Sequence, residues 1–523
     1  MEQIGALDAN FLYTETKSVR NHIASVQIVK VPEGQSTEQF IAGLKSVISD
    51  RLHLVPYLTR KLRFLPGNID HPFWVRDTNF DINDHIYEVA LDPLAPSDDS
   101  FRKLEERIAQ IHAKPMDRSK PLWSLQVITG FEEGKVAYYN QMHHACVDGV
   151  SGQLAIRQLM DPSQDVRILN EASLASAADK VPSLLELFSK STENLLCYQA
   201  GNQGRLLGQL ESMARLGQRA IDPSKQLGAL TMSAPRTRFN RSIQAQRSYT
   251  AGELPLDLVK RIGKALDCKV NDVFMAIVAG GLRTYLQRLG ELPERGLIAG
   301  CPVSLRQPGD DSLCNQVTMM KVNLATHLAD PALRLLAVRN SAQTAKDVTM
   351  DLSHGLVTNV SLPGLPASII AAANWAEASQ SANYLTPQLN VVISNIPGPR
   401  ETLYSNGAQV LTHYPVSVPA HGIGVNITVQ SYVDHLYFAI TACKQALPDE
   451  AVLKADIYTA FEELRNLLLP DSLLANKDPD SNSESVARSP LQPFGSKAMN
   501  LDSLMIKKEA VPGRKLPIGK KVA

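Results

Sequence analysis

Little in this chain is present in excess, and several things are missing outright. Its 523 residues hold only six cysteines, scattered and without a C-x-x-C pair. That argues against a disulfide scaffold or a paired-thiol site and fits a reducing cytoplasm. Lysine plus arginine and aspartate plus glutamate each number 53, so formal net charge is zero. No global basic field exists to gather nucleic acid. No run of about 18 apolar residues occurs, so no membrane-spanning helix is expected and any membrane contact should be peripheral. The opening stretch, Met1 to Asp8, has an early acid and no basic region, so no secretory signal is expected. H-E-x-x-H and G-x-S-x-G are both absent, which removes the commonest signatures of a zinc hydrolase and of an elbow serine. No metal and no cofactor are expected.

What is present is a large apolar share, 44% of residues, in a chain too long for one ordinary core. Two packed domains are therefore expected. The chemistry concentrates in Gln141 to Gly152, Q-M-H-H-A-C-V-D-G-V-S-G. Val136 to Met142 is rich in β-formers, and Val150, Leu154, Ala155 and Leu159 recur with a helical period. His143 and His144 thus close a strand, and Asp148-Gly149 open a helix. Neighbouring strand residues face opposite sides, so one histidine faces a cleft and the other supports it. His144 is the expected general base, His143 its structural neighbour, Asp148 a carboxylate that locks the loop, and Gly149 the motif turn. An imidazole near neutrality suits proton abstraction. With no protein nucleophile signalled, direct transfer is expected. Cys146 reads as a small, half-buried thiol.

These residues carry a family resemblance. H-H-x-x-x-D-G resembles the active-site motif of the bacterial wax ester synthase/acyl-CoA:diacylglycerol acyltransferase family. That family lies within the HxxxD group of CoA-dependent acyltransferases. Other blocks resemble the same family: Leu7-Asp-Ala-Asn-Phe11 before His22, Pro72-Phe-Trp-Val75, Pro121-Leu-Trp123, Asn271-Asp272, Pro302-Val-Ser-Leu-Arg306 and Asn390 to Pro399. The likeness runs roughly from Ile4 to Leu469. It implies an α/β fold of two chloramphenicol-acetyltransferase-like domains with an active-site tunnel at their interface. It also implies transfer of a long-chain acyl group from acyl-CoA to diacylglycerol or a fatty alcohol. Related enzymes use an arginine near Arg306 to hold the motif aspartate, so an Arg306–Asp148 pair is expected. Asn271 and Asn395 are the candidate oxyanion donors. Cys314-Asn315 departs from the family's usual Gly-Asn.

The expected layout is 1–165 for the first domain, 166–237 for a mostly helical connector and 238–470 for the second domain. Residues 471–523 are expected to be a disordered tail with a basic end. Two helical stretches are read more plainly: an Asn271-Asp272 cap starts the helix after Val270, and Leu362 to Ala378 is a short apolar helix expected in the core. Partners are long-chain acyl-CoA, diacylglycerol or fatty alcohol, and a peripheral membrane or lipid-body surface, with no nucleic acid. Two rivals remain open: an acyltransferase using another acceptor such as an amine, and a non-catalytic lipid-binding protein.

Overall fold

A computed structural model of the chain describes residues 2–93, 99–147, 149–167, 182–200, 202–222, 227–304, 317–353 and 364–469. The tail beyond Leu469, Asp148, Arg306, Cys314 and Asn315 lie outside these residues. Of three sheets in the described residues, the two larger organise the chain, and each has its own core; the third is small, pairing Phe73–Arg76 with Glu2–Gln3 and Arg60–Arg63.

The first sheet runs in the order Tyr404–Ser405, Ala408–Val410, His22–Lys30, Lys135–His143, Trp123–Thr129, Ile86–Ala90, with Tyr414–Val416 also on His22–Lys30. Its central strand, Lys135–His143, is buried along almost its whole length, as its unbroken β-forming composition anticipates. The helices Thr37–Arg51 and Ser100–His112 contribute Phe40, Leu44, Leu104 and Ile108 to this core. A capping box starts the first helix: Ser36 Oγ accepts the Gln39 N–H at 3.2 Å, and Gln39 Oε1 accepts the Ser36 N–H at 3.1 Å.

The second sheet runs Val317–Asn323, Ile298–Ser304, Val391–Ile396, Val425–Tyr432, His435–Cys443, Arg247–Pro255. Val270–Arg288 packs on it as a helix buried almost all round. A Cβ at Gly281 would stand 2.6 Å from Ile457 Cγ1 and 2.9 Å from its backbone nitrogen, so only glycine admits the helix Glu450–Leu468 there. The expected Asn271-Asp272 cap is corrected: Lys269 is the N-cap, and Asp272, three residues in, accepts its N–H at 2.9 Å.

The second half of the chain is not confined to its own sheet. Residues Tyr404 to Val416 cross to the first sheet, pairing Val410 with Val29 and Tyr414 with Val26. A polar latch adds to the tie. Arg102 Nη2 reaches Glu450 at 2.7 Å, and Glu105 accepts from Thr250 Oγ1, the Ala251 N–H and Lys454 Nζ at 2.7, 2.8 and 3.1 Å. Between the halves, Leu184–Ala200 and Asn202–Ile221 are helices, as a helical connector requires. The helix Leu365–Ala378 is not core: only Pro366 in it is buried, and Trp375 is 67% exposed. Ile369 and Ile370 pack against the first core and leave the rest of this apolar helix to solvent. No helix of the described residues is long and apolar enough to cross a membrane.

Candidate active site

The histidine pair sits where the strand Lys135–His143 ends. His143 is the last strand residue, His144 opens a turn, and the helix Gly149–Leu159 follows. The alternation separates the two rings as expected. His143 is fully buried, whereas His144 is half-buried and lines a cavity of about 470 Å³.

His143 is held as a structural member. Its Nδ1 accepts the Ala145 N–H at 3.1 Å, so its proton sits on Nε2, 3.7 Å from Glu15 Oε2. Burial pushes its pKa below the usual histidine value although Glu15 opposes the shift. Burial would raise the Glu15 carboxyl, but His143 and Arg118 outweigh it and hold that carboxyl at about 2. His143 therefore pins the backbone of the loop that carries its neighbour. Two further contacts fix His144 itself. Its backbone N–H donates to the Asn21 carbonyl at 2.8 Å, and its ring stacks on Phe11 with centroids 4.0 Å apart and planes 5° apart.

Both halves of the chain build the cavity. Phe11, Ile23 and Ile156 face Val317, Val392 and Ile396 across it. Among the described residues that line it, His144 is the only titratable side chain. Three of its polar groups are buried in a row: Asn426, Thr428 and Gln430 project from one strand whose alternate residues, Val425, Ile427 and Val429, join the second core. Gln430 Oε1 accepts from Gln153 Nε2 at 3.3 Å, leaving the Gln430 Nε2 donor buried without a protein partner. Gly149 comes so close to the opposite half that a Cβ would lie 3.1 Å from Ile396. Cys146 does not line the cavity, and burial raises its thiol pKa, which keeps it protonated.

The other sequence-derived candidates fall elsewhere. Along Val391–Ile396, Val392, Ser394 and Ile396 face the cavity and Asn395 points away, exposed. Asn395 Nδ2 donates to Asn271 Oδ1 at 3.2 Å, so the two asparagines meet each other and neither lines the cavity. The Asp148 and Arg306 side chains and their expected pairing fall outside the described residues. Sequence reasoning missed Glu15, Asn21 and the 426–430 row. The period-two alternation of polar Asn426, Thr428 and Gln430 with Val425, Ile427 and Val429 was the signal for the last.

Comparison with known proteins bears on this arrangement. Residues 4–274 match the model of the wax ester synthase/diacylglycerol acyltransferase catalytic domain, and residues 313–465 match the WS/DGAT C-terminal domain. A Mycobacterium tuberculosis protein named for diacylglycerol O-acyltransferase activity is 33% identical over 461 residues, covering 88% of this chain and 98% of that protein. The O-acyltransferase WSD of Acinetobacter baylyi is 31% identical over 460 residues, covering 86% and 93%. Among solved structures, the wax ester synthase/diacylglycerol acyltransferase from Marinobacter aquaeolei superposes with a TM-score of 0.61 at 24% identity, covering 88% of this chain and 98% of that one. The first condensation domain of the CDA synthetase gives 0.54 at 12% identity over 89% and 96%. These superpositions show a shared two-domain α/β fold.

Proposed function

This chain belongs to the wax ester synthase/diacylglycerol acyltransferase family, and we propose that it transfers a long-chain acyl group from acyl-CoA to a diacylglycerol or fatty-alcohol hydroxyl, with His144 as general base. Its relatives are O-acyltransferases by name, and it is an acyltransferase. One observation carries the assignment of the base: His144 is the only titratable side chain among the described residues lining a largely apolar cavity. Apolar walls suit acyl chains, and a dry, rigid surround suits a base that must wait in one orientation.

In this reading His144 takes the proton of the acceptor hydroxyl as its oxygen attacks the thioester carbonyl. The tetrahedral oxyanion collapses, the C–S bond breaks, and the departing thiolate recovers the proton. Ester and free CoA result, without an acyl-enzyme and without a metal. The cavity then forms the middle of a tunnel, with donor and acceptor arriving from different sides. Gln430 Nε2 is a better candidate oxyanion donor than Asn271 or Asn395, because it is buried in the cavity wall with no acceptor among the described residues.

CoA release from palmitoyl-CoA, with hexadecanol or dioleoylglycerol offered separately, tests this. Release should require an acceptor and fall about 100- to 10,000-fold in His144→Ala, the usual worth of a positioned base. Equal release by both proteins would remove His144 from that role. The ratio of the two rates identifies the preferred acceptor.

A further inference from the structure

A second and larger cavity, about 830 Å³, lies beside the first and has a different chemistry. Arg236, Arg238 and Arg241 line it, with Ser242, His421 and Glu377. Two of the three guanidinium charges meet no carboxylate among the described residues. Arg236 donates to the carbonyls of Asn240, Ala382 and Leu385, which are neutral acceptors. Arg241 is exposed, and its side chain makes no hydrogen bond or ion pair among the described residues. Of the two acids on this wall, Glu291 lies 3.3 Å from Arg238, while Glu377 accepts the neutral Lys17 N–H at 3.2 Å and keeps its charge near His421, so the lining carries three arginines against two carboxylates.

Two donors in the same wall are buried with no hydrogen-bond partner among the described residues. Ser242 Oγ is one. His421 Nδ1 accepts the Ile243 N–H at 3.1 Å, which leaves its proton on Nε2, and Nε2 is buried and unpartnered. Buried polar groups are rarely left so, because each unmade bond forfeits the desolvation already suffered. Two orphan donors beside two arginines that meet no carboxylate describe a receptor for a multiply charged anion with several acceptor oxygens.

Position says which anion. The two cavities have adjoining linings: Asn21 and Ala420 line the His144 cavity, and Ser18 and His421, the residue after Ala420, line the arginine cavity. The antiparallel Ala420–Ile423 bridge holds the segment where the two linings adjoin. We propose that the Arg236–Arg241–Ser242–His421 cavity binds the phosphorylated nucleotide end of acyl-CoA, while its thioester lies at His144. This rests on the acyl-CoA reading above. The acyl chain and thioester then occupy the apolar cavity, and the phosphates remain in the polar one.

Steady-state kinetics with palmitoyl-CoA and with palmitoyl-pantetheine, which has no nucleotide or phosphate, tests the assignment in the full chain. Arg241→Glu should raise KM for palmitoyl-CoA about tenfold or more, the order of one lost charge-assisted bond, with kcat little changed. KM for palmitoyl-pantetheine should not move. Ser242→Ala, which deletes one hydroxyl, should show a weaker shift of the same selectivity. Equal changes with both thioesters, or no change with either, would overturn the proposal. If the wild type turns over neither thioester, the acyl-transfer reading has failed instead. Calorimetric binding of free CoA then decides the cavity alone: tight binding that Arg241→Glu weakens supports it, and binding that the variant leaves unaltered refutes it.

Discussion

At the scale of single residues, this protein keeps its histidines neutral by burying them. His22, His112 and His143 are all fully buried. His22 bonds the His112 carbonyl at 2.9 Å, and His112 bonds Tyr139 Oη and the Ser417 carbonyl at 2.8 and 2.9 Å. Burial lowers all three pKa values, that of His22 to about 3 from an ordinary 6.5. In the unfolded chain the same rings protonate near 6.5. A lowered folded pKa means that the unfolded state binds the extra protons, so stability is full above that value and declines as pH falls below it. Glu15 has the same sign in a lower window, between its ordinary 4.5 and about 2. The urea midpoint should therefore drop steadily as pH is taken from about 7.5 to about 5.5, before any carboxylate with a normal pKa titrates. A flat midpoint over that range would show that these rings are not buried neutral.

At the scale of elements, the helix Val270–Arg288 shows what packing demands of composition. Its run of small and apolar residues, Ala279-Gly280-Gly281, reads from sequence as close helix contact at a cost in helix propensity. The structure supplies the neighbour: Gly281 touches Ile457, and Gly280 faces Ala460 at 2.6 Å from its virtual Cβ. Gly281→Ala should cost about 1–3 kcal/mol by overpacking, despite alanine's better helix propensity, because backbone atoms of Ile457 must shift. Thermal or urea unfolding measures it, and a more stable variant would mean that the two helices stand further apart than described. The element boundaries were largely legible. The strand before the histidines, the helix after Gly149 and the hairpin Val425–Cys443 follow from alternation, helical period and turn residues. The exposed helix Leu365–Ala378 was not legible, since an apolar sequence reports what could be buried and not whether a partner surface exists.

At the scale of the molecule, that helix belongs to a wider apolar exposure. Leu185 is 80% exposed, Leu196 66%, Trp375 67% and Leu385 63%. Large apolar side chains in water are ordinary when scattered and mark a contact surface only when contiguous. With lipid acceptors proposed for this enzyme, vesicle binding is the experiment that tests these side chains. Sedimentation with phosphatidylglycerol-rich vesicles should pellet the protein, and Trp375→Glu with Leu185→Glu should reduce the bound fraction severalfold by placing charge in the interface. Full retention by the double variant would move the docking face elsewhere.

The sequence alone determined the family, the two-domain α/β class, and the opposite placement of His143 and His144, one buried and one on the cavity. Those follow from local rules: a motif's spacing, and a strand's alternation, which sends neighbouring side chains to opposite faces. Only the tertiary structure decided what the histidine faces. Glu15 and Phe11 meet the pair because a helix far away in sequence packs beneath the strand end. Asn395 turned from the cavity because its place in the strand alternation sets its direction, and Asn271, in the first turn of the helix Val270–Arg288, meets it there. The arginine cavity, the orphan donors and the crossing of Tyr404 to Val416 onto the first sheet are likewise long-range facts. Each depends on segments hundreds of residues apart arriving at one place, which no local periodicity records.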